Sequence, residues 1–96
     1  MDSEAAIEAY LRKKVKRLGG RSFKWVSPGN SGVPDRIVVL PDGVLVFVEL
    51  KNERGRLSEL QKVQIKRLQD LGQEVIVIKS KKEVDMFLDE RRVMPR

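Results

Sequence analysis

Ninety-six residues allow one domain with a single core of two packed layers and no second lobe. The absence of cysteine and histidine excludes disulfide scaffolds, Cys/His zinc sites, catalytic triads and histidine-based metal motifs, so any metal must take oxygen ligands, which favours Mg²⁺ or Mn²⁺. With 20 Lys+Arg against 14 Asp+Glu the formal net charge is +6, a balance that attracts phosphate backbones through counterion release.

Residues 3–18 read as a helix: Ser3 is the N-cap, Glu4 lies in the first turn, and Ile7, Leu11, Val15 and Leu18 recur at helical spacing. Gly19-Gly20 ends it. Phe23 to Val26 reads as a strand, and Ser27 to Pro34 as a loop rich in turn formers. Two apolar runs, Ile37 to Leu40 and Val44 to Val48, flank Pro41-Asp42-Gly43 and predict a hairpin over residues 35–51. A polar loop, Asn52 to Arg56, leads to a helix over 58–71 that enters through Ser58 and stops at Gly72. Glu74 to Lys79 is a buried strand, and Glu83 to Glu90 a short helix with Val84, Phe87 and Leu88 inward. The order αβββαβα over residues 1–96 predicts an α/β domain: an antiparallel hairpin and a β-α-β crossover in a mixed four-stranded sheet flanked by helices.

The hairpin carries the chemistry. If Pro41-Asp42-Gly43 is the loop, Leu40 faces Val44, and counting back sets Asp35 opposite Glu49, with Cβ atoms roughly 5 Å apart. Lys51 then shares their face by strand alternation. A two- or four-residue loop would turn one carboxylate away. A solvated charge cluster at a sheet end is the plainer account, but the strand before Glu49 is apolar on both faces, as a central strand is. Charges there are costly to hold without a role. Arg36 points away from Asp35 and reads as a core-edge or interface residue, and Phe23 and Trp25 as core or subunit interface. Basic residues cluster at Arg12, Lys13, Lys14, Lys16, Arg17 and Arg21, at Lys79, Lys81 and Lys82, and at Arg91, Arg92 and Arg96. Any one cluster is equally well a solvated surface; together they set an acidic pocket in a basic surround.

The pattern P-D-x(13)-E-x-K, with Ile7-Glu8, Gly19-Gly20, Ser27-Pro28-Gly29, Gly32-Val33-Pro34-Asp35-Arg36, Val48-Glu49-Leu50-Lys51, Leu57-Ser58, Gln61 and Leu71-Gly72, resembles the VRR-NUC family of the PD-(D/E)XK nuclease superfamily, in its stand-alone phage or bacterial form. That resemblance implies a restriction-endonuclease-like core and an Mg²⁺-dependent, structure-selective DNA endonuclease, with Mn²⁺ as a substitute. It implies metal ligation by Asp35, Glu49, the Leu50 carbonyl and a carboxylate of the first helix. Glu8 is preferred over Glu4, which also suits a first-turn acid favoured by the helix dipole. Lys51 would orient or help deprotonate the attacking water. Gln61 fits a capping box with Ser58, yet the resemblance places it beside the metal as a functional residue.

The expected partners are DNA, branched DNA such as four-way junctions above all, and a second copy of the chain, with Phe23, Trp25, Val93 and Met94 as interface candidates. The alternatives are a non-catalytic nucleic-acid-binding module and a flap or duplex nuclease subunit of a larger complex. No apolar run approaches the roughly 20 residues that span a bilayer, so a soluble, cytoplasmic setting is expected.

Overall fold

A three-residue turn decides the architecture. In the computed structural model, which describes residues 1–91, Pro41–Gly43 forms one turn of 3₁₀ helix between strands β2 (Arg36–Leu40) and β3 (Val44–Leu50). Leu40 pairs with Val44, and the register runs back without slip to Arg36 opposite Val48. The other elements are α1 (Glu4–Arg17), β1 (Arg21–Lys24), α2 (Glu59–Asp70), β4 (Glu74–Ile78) and α3 (Lys81–Glu90). The sheet order is β1-β2-β3-β4, antiparallel up to β3 and parallel between β3 and β4. The αβββαβα order and the mixed sheet are those expected, and β3 is a central strand.

Alternation then sorts the side chains. Val38 and Leu40 of β2, Val46, Val48 and Leu50 of β3 and Ile78 of β4 meet Ile7, Leu11 and Val15 of α1 and Val84, Phe87 and Leu88 of α3 in one core cluster. The opposite face carries Glu49 and is covered by α2, which buries Ile65 and packs on β4. Away from α2 this second face is thinly covered. Phe23, Ile37 and Phe47 lie in one row across β1, β2 and β3, with the Trp25 ring tilted at 43° against Phe47 and 5.1 Å from it, while Phe23 and Leu45 stay exposed. Among the described residues no helix is long and apolar enough to cross a membrane.

Two boundaries differ from expectation. β1 covers Arg21–Lys24 rather than Phe23 to Val26 because the chain turns at once after α1: Gly19 takes φ +85°, and Gly20 packs against β2. The far end of the predicted strand survives as one bond, from the Trp25 N–H to the Asp35 carbonyl at 2.8 Å. α3 starts at Lys81 rather than Glu83 because Ser80 is its N-cap, its hydroxyl accepting the Glu83 N–H at 3.1 Å. Arg92, Arg96, Val93 and Met94 lie outside the described residues.

Gly20 has no left-handed φ to protect, only contact: a Cβ there would sit 2.5 Å from the Val39 carbonyl oxygen. Gly20→Ala is expected to cost about 2 kcal/mol or more, a fall in Tm of roughly 10 °C. Gly29→Ala, with nothing within 4 Å of its Cβ, should cost only the left-handed backbone term of about 1 kcal/mol. Equal losses for the two variants in thermal melts would remove the close-approach argument.

Candidate active site

The approach to the site is the loop before β2. Gly32 takes φ +87° and lies so near α2 that a Cβ would meet the Leu60 backbone at 2.9 Å; the Gln64 side chain donates to the Ser31 carbonyl at 3.2 Å. The loop is thus pinned to the first turns of α2, and buried Pro34 delivers Asp35 one residue before β2 begins. Since Arg36 faces Val48, Asp35 comes opposite Glu49. Its Oδ2 accepts the Leu50 N–H at 3.0 Å, which aims the carboxylate across the hairpin.

Glu49 is 1% exposed. Its Oε2 accepts a hydrogen bond from the Gln61 amide at 3.0 Å and lies 3.5 Å from Lys51 Nζ. Its Oε1 is buried with no hydrogen-bond partner. Burial, then the neighbouring Asp35 charge, push the Glu49 carboxyl up to about 7, against the smaller opposing pull of Lys51. Lys51 is tied down by its own N–H, which donates to the Ile78 carbonyl at 3.0 Å, and Gly55 closes on its stem, where a Cβ would come within 3.2 Å of Lys51 Cβ.

Gln61 caps α2 and also touches Glu49. Its backbone N–H and side-chain Oε1 complete a capping box with Ser58, at 3.1 and 2.9 Å, and its Nε2 is then left to reach Glu49. A glutamate would serve the cap equally but would have no donor for Glu49 and would add a third negative charge.

Asp35, Glu49, Lys51 and Gln61 therefore come together, with Leu50 contributing its amide to Asp35 while its side chain enters the core. The first-helix carboxylates are not gathered with them. Glu4 is exposed, and Glu8 pairs with Arg36 at 3.3 Å. Among the described residues no group of three or more His, Cys, Asp or Glu side chains is placed to hold a metal ion. Arg36 is indeed at the core edge, 5% exposed, with its guanidinium on Ser22 Oγ (2.7 Å), the Ser22 carbonyl (3.1 Å) and Glu8. No sequence motif announces Ser22 or Gly55. A buried arginine demands partners, but only the β1–β2 register says which. An unpartnered, buried carboxylate oxygen opposite a second acid is a donor set that a hard, oxygen-preferring divalent cation satisfies.

Comparison with known proteins agrees with this architecture. The VRR-NUC domain family matches residues 3–82. "Putative nuclease p44" of Acyrthosiphon pisum secondary endosymbiont phage 1 is 44% identical over 77 residues, covering 80% of this chain and 83% of that protein. A solved VRR-NUC domain structure superposes with a TM-score of 0.86 at 33% identity, covering 93% of this chain and 97% of its own.

The raised carboxyl has a measurable consequence. Glu49 titrates near 4.5 in the unfolded chain and near 7 in the fold, so between those values the folded state holds the extra proton. Without divalent ions the Glu49 contribution should therefore destabilise progressively as pH rises from about 4.5 to 7, by an order of magnitude of 2–3 kcal/mol. Glu49→Gln should flatten that part of the profile and melt higher than wild type at pH 8. Chemical melts in EDTA at pH 5 and pH 8 measure it; parallel pH profiles for the two proteins would contradict the raised Glu49 carboxyl.

Proposed function

The chain belongs to the VRR-NUC domain family, and from that premise we propose that it is an Mg²⁺-dependent DNA endonuclease that hydrolyses phosphodiester bonds, acting on branched DNA such as four-way junctions. The observation that carries this reading is Glu49: a carboxylate 1% exposed, opposite Asp35, with one oxygen held by Gln61 and Lys51 and the other left unpartnered. The similarity to a phage protein named as a nuclease supports the same activity.

Asp35 and Glu49 are the side chains that would hold Mg²⁺, or Mn²⁺ in its place, with the Leu50 carbonyl beside them. Bound there, such a cation supplies Lewis-acid polarisation of a phosphoryl oxygen and lowers the pKa of water. Gln61 fixes the orientation of the Glu49 carboxylate, anchored in turn by the helix cap. Lys51 puts an ammonium beside the acids, where it orients the attacking water and offsets charge on the scissile phosphate. The new bond forms between water oxygen and phosphorus as the bond from phosphorus to one deoxyribose oxygen breaks; the water loses a proton, the leaving oxygen gains one, and no protein nucleophile is required. Glu8, engaged by Arg36, stands outside the ligand set that this geometry supports. A non-catalytic DNA-binding module is the second reading. The intact grouping of Asp35, Glu49, Lys51 and Gln61 favours catalysis over it, because a site kept only for affinity gains nothing from buried acids beside DNA.

Asp35→Ala and Glu49→Ala are expected to abolish cleavage of labelled junction, flap and duplex DNA in Mg²⁺ while binding persists. Lys51→Ala should lose turnover by about 100-fold or more with little change in metal affinity, and Lys51→Arg should not restore it, since a planar fork does not replace a compact ammonium. Full activity in either carboxylate variant would refute the site. Cutting a four-way junction symmetrically needs two sites, and one chain of this size has one, so a two-fold dimer is expected. Its interface would use the exposed Phe23 and Leu45 beside the tilted Trp25–Phe47 pair. Light scattering at micromolar concentration decides it: a clean 11.0 kDa monomer that still cuts flaps would reject the dimer and move the substrate from junctions to flaps.

A further inference from the structure

Ala9, Arg12, Lys13 and Lys16 recur at intervals of three and four residues and so line one face of α1. The Gly19-Gly20 turn brings β1 directly alongside, and between them lies an open groove of about 790 Å³ closed on the strand side by Arg21, Ser22 and Phe23. Four cations line this groove and no carboxylate does. Among the described residues none of the four forms an ion pair, whereas the neighbouring Lys14 is turned to Asp85 on α3. Concentrated, uncompensated positive charge along a groove costs self-repulsion and is relieved by a polyanion.

The groove also has a direction. One end is Ala9 and Ser22; Ala9 follows Glu8, and Ser22 and Glu8 both bind Arg36, which adjoins Asp35 in the chain but stands on the other face of the sheet. From there it runs towards Arg21, which pairs with Val39 near the far end of β2. The seven steps of helix from Ala9 to Lys16 rise about 10 Å, a length that matches about three phosphates along one DNA strand. An acidic protein surface would need no such line, whereas regularly spaced cations match the regular charges of a phosphate backbone.

We propose that the groove between α1 and the edge strand β1 is a second DNA contact, which grips the phosphate backbone of the arm flanking the cleavage point. It rests on the nuclease reading above and adds to it a positioning surface outside the cluster of Asp35, Glu49 and Lys51. Arg12, Lys13, Lys16 and Arg21 bind backbone without reading sequence, and they set how the DNA lies before cleavage.

The test compares the full-length Arg12→Ala/Lys16→Ala variant with wild type, and with Lys66→Ala/Lys82→Ala as a control of equal charge loss on α2 and α3. Fluorescent branched DNA is titrated without divalent ions over a series of salt concentrations, and cleavage is then measured in Mg²⁺ at saturating DNA. The groove variant should bind about tenfold more weakly at low salt, with the slope of log K against log salt smaller by about 2. For DNA whose arms end at the cleavage point, which does not reach the groove, its affinity and its turnover at saturation should both match wild type. Unchanged affinity and slope, or an equal loss in the control variant, would overturn the groove while wild-type cleavage leaves the nuclease reading standing. Wild-type protein that neither binds nor cuts DNA would overturn both.

Discussion

Two acids held face to face across a hairpin are the constraint on which the rest of this structure depends. Asp35 and Glu49 are opposed because a three-residue turn pairs Leu40 with Val44, and every further pair of the ladder follows. Burial of Glu49, and after it the charge of Asp35 opposite, push the Glu49 carboxyl up to about 7, and Lys51 offsets only part of that rise. Lys51 at 3.5 Å and the Gln61 amide at 3.0 Å satisfy one Glu49 oxygen and leave the other bare. A fold selected for stability alone would place an apolar residue here, as it does at Val46 and Val48.

The surrounding elements are arranged to keep that unfavourable pair in register. Gln61 binds the cap of α2 with one end of its amide and Glu49 with the other, so the position of the helix and the orientation of the carboxylate are one and the same constraint. Gly32 lets the approach loop touch the Leu60 backbone, which fixes Asp35 from the other side. On the opposite face Arg36 ties β2 to Ser22 of β1 and to Glu8 of α1. Asp35, just before β2, and Arg36, its first residue, thus divide the work: one faces Glu49 and the other anchors the strand to the scaffold.

Charge is divided as sharply as polarity. Asp35 and Glu49 stand on the α2 face of the sheet, whereas Arg12, Lys13, Lys16 and Arg21 line the groove at the β1 edge with no carboxylate in its lining. A net charge of +6 is therefore an average over an acidic pocket and a basic margin. Such a division suits a polyanion that must be held along its length and met by acids only where a cation can stand between.

The sequence by itself determined the element order, the central strand, the turn and hence the opposition of Asp35 and Glu49, because hydrophobic periodicity and a short turn are local and set register directly. It also located Lys51, by alternation, and marked Gln61 as a cap residue. Tertiary structure alone decided what the long-range partners are. That Gln61 also reaches Glu49 depends on how α2 lies on the sheet, and that Glu8 goes to Arg36 rather than to the acids depends on which face of the sheet α1 covers. The shift of β1 to Arg21 came from Gly20 packing at 2.5 Å from a β2 carbonyl, a contact between residues about twenty positions apart. Periodicity reports the face on which a side chain lies, but the choice among charged partners on that face is made by packing, and packing is written only in three dimensions.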